Sequence, residues 1–105
     1  MKVVYDHEKF AALQDQMVDA ISAAIHSNLV EAGMTDPQTL SAATYNITSD
    51  ISAIIDSCIS DQAFLPYLTF KDPEATDTII HGKGSWLHER LDEDAIDSLC
   101  GVPES

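Results

Sequence analysis

From Phe10 onward, apolar side chains return at three- and four-residue steps: Phe10, Leu13, Met17, Ile21, Ala24 and Ile25. This spacing predicts an amphipathic helix with one buried face. Asp15, Asp19, Ser22 and His26 recur at the same steps on another face, which the pattern assigns to solvent. Asp6 reads as the N-cap, Glu8 adds negative charge to the first turn, and Gly33 supplies a left-handed stop. A second stripe follows in Leu40, Thr44, Ile47, Ile51, Ile54 and Cys58, widened by Ile55 and Ile59. Thr35-Asp36-Pro37-Gln38 before it reads as a capping box, with Thr35 as cap and Gln38 reaching back. The short connection after Gly33 predicts that these two helices form an antiparallel hairpin.

Beyond residue 60 the pattern changes. Tyr67-Leu68-Thr69-Phe70 and Thr78-Ile79-Ile80-His81 are short β-prone runs around a turn-like segment, Lys71 to Asp77, and predict a two-stranded ribbon. Lys2-Val3-Val4-Tyr5 reads either as a further strand or as an extended lead-in. After Gly82-Lys83-Gly84, Ser85 is expected to cap a third helix, with Leu87, Leu91, Ala95 and Leu99 along one side and Gly101 at its end. The expected fold is therefore mainly α: a helical hairpin plus a C-terminal helix, with a small ribbon between them. It becomes α+β if the N-terminal segment joins the ribbon. The length of 105 residues fits one domain.

Charge alters the functional picture more than the fold. Eighteen acids against five Lys and Arg give a formal net charge of −13. No Lys or Arg occurs between Lys9 and Lys71, whereas Asp15, Asp19, Glu31, Asp36, Asp50, Asp56 and Asp61 all do. Such a field repels nucleic acid and anionic membranes and attracts basic proteins. The plain alternative is acidity for solubility or for a salty cytoplasm. No apolar run is long enough for a membrane span, and the opening residues lack the pattern of a secretory signal, so the expected location is the cytoplasm. Two cysteines, Cys58 and Cys100, are too few for a disulfide framework and are expected as free thiols, Cys58 on the buried stripe.

No arrangement of residues names a reaction. Gly82-Lys83-Gly84-Ser85 lacks the first glycine of a phosphate loop, whose place Asp77 occupies. His88 and Asp92 are four apart and His81 stands nearby, but a metal site needs three or four groups with fixed geometry. The simpler expectation is a solvated face on which His88 pairs with a carboxylate. Asn46-Ile47-Thr48 matches a glycosylation sequon inside a predicted helix and is discounted. Neither a catalytic group, a metal nor a cofactor is assigned.

What remains is Trp86, the only tryptophan, with the acids after it. On a continuous third helix Glu89, Glu93 and Asp97 follow one another at four-residue steps and form a carboxylate ridge beside that aromatic anchor. With Asp15 and Asp19 of the first helix, these are the candidate partner-binding residues. The leading function is an acidic interaction module that masks a basic protein surface, of the inhibitor, immunity or counter-defence kind. The alternative is a self-associating structural or adaptor protein, since the second stripe with Val18, Leu29 and Val30 offers more apolar surface than three helices cover. A small metal-dependent protein ranks third.

Overall fold

A computed structural model describes residues 1–82 and 85–103. The elements run β1 (Lys2–Tyr5), α1 (His7–Glu31), α2 (Pro37–Ile55), β2 (Phe70–Asp72), β3 (Ala75–His81), a 3₁₀ turn (Leu87–Arg90) and α3 (Glu93–Cys100). The architecture is mainly α with a small mixed sheet, in the strand order β1-β3-β2.

The N-terminal segment is a strand. β1 lies parallel to β3, Lys2 opposite Thr78 and Tyr5 opposite His81, so the expected two-stranded ribbon is a three-stranded sheet. β2 pairs antiparallel with β3, with Phe70 opposite Ile80 and an irregularity between Lys71 and Asp72. The reversal is tighter than the sequence predicted. Tyr67, Leu68 and Thr69 stay outside the strand, because Asp72 turns the chain by accepting a bond from the backbone N–H of Glu74 at 2.9 Å. Lys9 joins the start of α1 to this turn, its Nζ 2.9 Å from Asp72 and 3.4 Å from Glu74.

Local capping chemistry explains the helix ends. Asp6 accepts from the Lys9 N–H at 3.0 Å, as expected of an N-cap. In α2 the cap is Asp36, not Thr35: its carboxylate takes both the N–H and the hydroxyl of Thr39. The carboxylate accepts two donors at once and so displaces the expected capping box by one residue. Gly33 has φ of 102° and Gly101 of 78°, the left-handed conformation that stops α1 and α3.

The helices run antiparallel. Leu29 near the end of α1 packs with Leu40 near the start of α2, and further along Ser22 bonds to Thr48 at 3.3 Å. The buried line coincides with the apolar stripes of the sequence only at Phe10, Leu40 and Thr44. On α1 it consists of Phe10, Gln14, Val18 and Ser22; on α2, of Leu40, Ser41, Thr44, Thr48 and Ser52. Ser22, assigned to the solvent face, is buried, and Val18, counted as surplus surface, is core. Leu13, Met17, Ile21 and Ile51 are only half-buried, while Ile47 and Ile54 are exposed. Small hydroxyl-bearing side chains let the two helices close on each other, and the larger aliphatic ones are left on a flank. Leu40, Ile96 and Cys100 then join α2 to α3, with Leu29, Met34, Tyr45 and Val102 around them. Cys100 is thus a packed thiol. Cys58 follows the end of α2 and is exposed, not on a buried stripe.

At the other end Phe10 packs against Phe70, ring centroids 5.2 Å apart. Gly82 passes so close to Phe10 that a Cβ placed on it would lie 2.5 Å from Cδ2 and 2.8 Å from Cβ of that residue. Rotating the ring cannot relieve a clash that reaches Cβ. Gly82→Ala is therefore expected to cost about 1–3 kcal/mol, read as a lower denaturant midpoint at constant slope. An unchanged midpoint would contradict this packing.

Candidate protein-interaction site

The third helix of the sequence is two pieces. Residues Leu87–Arg90 form a 3₁₀ turn, Leu91 is extended (φ −63°, ψ 133°), and α3 starts anew after Asp92. Asp92 makes the restart: its carboxylate accepts from the N–H groups of Asp94 at 3.0 Å and Ala95 at 3.2 Å. An Asp followed by two acids at the first turn is a recognisable N-terminal signal, outweighed in the sequence by the Leu87–Leu91–Ala95 spacing. Ser85 caps nothing. Its hydroxyl donates to Gln14 Oε1 at 2.6 Å, and Gln14 Nε2 donates to the Ser85 carbonyl at 3.2 Å.

The cap of the 3₁₀ turn comes from α2. Asp56, at the C-terminal end of that helix, accepts from the N–H groups of Leu87 and His88, each at 2.8 Å. Its Oδ2 also lies 2.5 Å from His88 Nδ1, and the Asp56 side chain is 4% exposed. The carboxylate that pairs with His88 is therefore Asp56. His81 packs edge-on against Tyr5 in the sheet. Among the described residues no three His, Cys, Asp or Glu side chains converge as a metal site. Of the glycine-flanked loop, Lys83 and Gly84 lie outside the described residues.

The break redistributes the carboxylates. With Leu91 extended, Glu89, Glu93 and Asp97 do not form a ridge on one helix. Asp97 is half-buried and accepts a hydrogen bond from the Ser41 hydroxyl across the α2–α3 contact. Glu89 and Glu93 instead line a cleft of about 690 Å³ between α1 and the corner where the 3₁₀ turn meets α3. Asp15, Asp19, Asp92 and Asp94 line it too, together with Arg90. Six carboxylates thus face one guanidinium. Arg90 is held by Asp15 through two bonds, Nε to Oδ1 at 2.7 Å and NH2 to Oδ2 at 2.8 Å. That hydrogen bonding holds the Asp15 carboxyl below the usual carboxylate range and raises Arg90 further. Both groups are substantially exposed, so the pair is worth at most about 1 kcal/mol. Its consequence is positional: it fixes the corner against α1 and engages the one cation that lines the cleft among the described residues.

Trp86 is elsewhere. It is 44% exposed and lines a separate, mostly apolar pocket of about 300 Å³ with Phe10, Ile55, Pro66, Tyr67 and Leu68. Of the six candidate residues, four meet in the acidic cleft: Asp15, Asp19, Glu89 and Glu93. Trp86 and Asp97 do not. Sequence spacing gave no role to Arg90, because its partner is 75 positions away.

The chain matches no family model, no curated protein and no solved structure. Among the described residues no helix is long and apolar enough to cross a membrane.

Proposed function

We propose that this chain is an acidic protein-interaction module of the cytoplasm that docks on a basic surface of a protein partner through the cleft between α1 and the 3₁₀–α3 corner. One observation carries the reading: six carboxylates from three elements line one concavity, and its single guanidinium is already paired. Carboxylates gathered around one concave surface reinforce one another's potential. They steer a cationic partner on approach, and the incoming Lys and Arg relieve their mutual repulsion. The same field disfavours direct contact with nucleic acid or an anionic membrane. An inhibitor of a nucleic-acid-handling protein, of the immunity or counter-defence kind, fits this size and charge, since the surface it would mask is basic.

An oligo-arginine peptide is a suitable probe of the cleft. Asp19→Lys/Glu93→Lys is expected to weaken its binding about tenfold or more at low salt. Glu31→Lys/Asp77→Lys changes net charge equally at exposed sites outside the cleft and should have a much smaller effect. Wild-type binding should weaken steeply as salt rises from about 50 to about 500 mM. Equal losses from the two pairs would mean that total charge, not the cleft, attracts the probe.

A further inference from the structure

We infer that Arg90 is an internal occupant of the acidic cleft: its guanidinium holds the seat on Asp15 that an arginine of the basic partner takes when it docks. This rests on the cleft being the docking surface proposed above, and it narrows the partner group to a guanidinium in preference to an ammonium. Nε and NH2 of Arg90 donate to Oδ1 and Oδ2 of Asp15 at 2.7 and 2.8 Å, a two-point fork. A planar guanidinium matches both oxygens of a carboxylate at once, whereas a lysine ammonium is a point charge that cannot. Among the described residues no other donor bonds to the Asp15 side chain, so the whole fork passes to whichever guanidinium holds it. Asp92, by contrast, is already engaged in capping α3.

The seat can change hands. The side chains of Arg90 and Asp15 are 36% and 48% exposed, so the pair opens to water without leaving either charge in a dry site. Once released, Arg90 remains among the other carboxylates that line the cleft, Asp19, Glu89, Asp92, Glu93 and Asp94, and its charge stays compensated. The turn that carries it stays docked, since Asp56 binds its backbone and Leu87 is fully buried beneath it. Exchange of one guanidinium for another at Asp15 keeps the same two bonds, and the partner gains the field of the remaining carboxylates. Arg90 therefore holds the affinity for a basic partner below what the carboxylates alone would give. It also hides a preference for arginine over lysine, because the fork that tells them apart is filled.

Fluorescence anisotropy on the full chain, with labelled oligo-arginine and oligo-lysine peptides of equal length at low salt, tests this. Arg90→Lys keeps the charge but not the fork. It is expected to raise the ratio of arginine to lysine affinity about three- to fivefold over wild type, the scale of an exposed ion pair. Arg90→Gln removes the charge as well, so both peptides should bind more tightly while the ratio rises by a similar factor. Lys71→Gln removes an exposed charge outside the cleft and should leave the ratio unchanged. Asp15→Asn combined with Arg90→Lys should return the ratio to its wild-type value, because no carboxylate is left at the fork. A ratio that stays at the wild-type value in Arg90→Lys, or that rises there even with Asp15→Asn, would overturn the competition. The cleft would still stand as the docking surface if Asp19→Lys/Glu93→Lys weakens oligo-arginine binding more than Glu31→Lys/Asp77→Lys does. Equal losses from those two pairs would remove the docking surface itself, and the role of Arg90 with it.

Discussion

Asp56→Ala is expected to destabilise the protein by about 3 kcal/mol, lowering Tm by roughly 10–20 °C. The carboxylate is nearly inaccessible and serves three donors: the backbone N–H groups of Leu87 and His88 and the ring of His88. Removing it leaves two part-buried N–H groups without an acceptor, and each orphaned donor costs about 1–3 kcal/mol. Because the bonds span 31 and 32 positions, they hold the 3₁₀ turn onto the end of α2 and not merely in shape. The loss should therefore extend to the corner. In Asp56→Ala, Arg90 should pair less well with Asp15, and proteolysis near residues 85–92 should quicken before global unfolding. Asp56→Asn keeps an acceptor oxygen and should lose less than Ala does. If Asp56→Ala unfolds at the wild-type temperature, the carboxylate does not anchor the corner.

Leu87→Ala is expected to cost a comparable 2–5 kcal/mol. Leu87 is 0% exposed and is the buried residue of a turn that packs on both α1 and α2. Between those helices lie Gln14, Thr44, Thr48 and Ser52, all at 0% exposure, so little apolar material is available to refill the space that a truncated side chain vacates. The cost should fall in the upper half of the range for that reason. Leu87→Met keeps most of the volume and should stay within about 1.5 kcal/mol of wild type. Chemical denaturation of the three proteins distinguishes these outcomes. Equal midpoints for Ala and wild type would show that the turn contributes no core. Since Leu87 and Asp56 anchor the same turn, the double variant should lose less than the sum of the single losses.

Both residues bear on the proposed cleft through position alone. Glu89 and Arg90 belong to the turn that Asp56 and Leu87 hold, and the pairing of Arg90 with Asp15 sets that turn against α1. The carboxylates of the cleft thus come from α1 and from a corner about 70 positions further along the chain, which no local interaction would bring together.

The amino-acid sequence by itself determined whatever depends on neighbours a few positions away. The Asp6 cap, the left-handed stops at Gly33 and Gly101, the two long helices and their antiparallel return, and the excess of acid were all legible in it. Each rests on a hydrogen bond or a backbone preference within about four residues, or on a simple sum of charges. The tertiary structure decided which face of each helix is buried, and along most of the contact it placed small hydroxyl-bearing side chains there in preference to the aliphatic row. Closing α1 on α2 at short range favours Ser22, Thr44, Thr48 and Ser52, and this leaves the aliphatic row on a flank; a periodicity of apolar residues registers both arrangements alike. It decided the parallel place of β1 beside β3, the docking of the 3₁₀ turn on Asp56 and the meeting of the α1 carboxylates with those around Arg90 for a related reason. Those outcomes turn on partners 31 to 76 positions away, whose meeting depends on how every element packs and not on any one segment's preference.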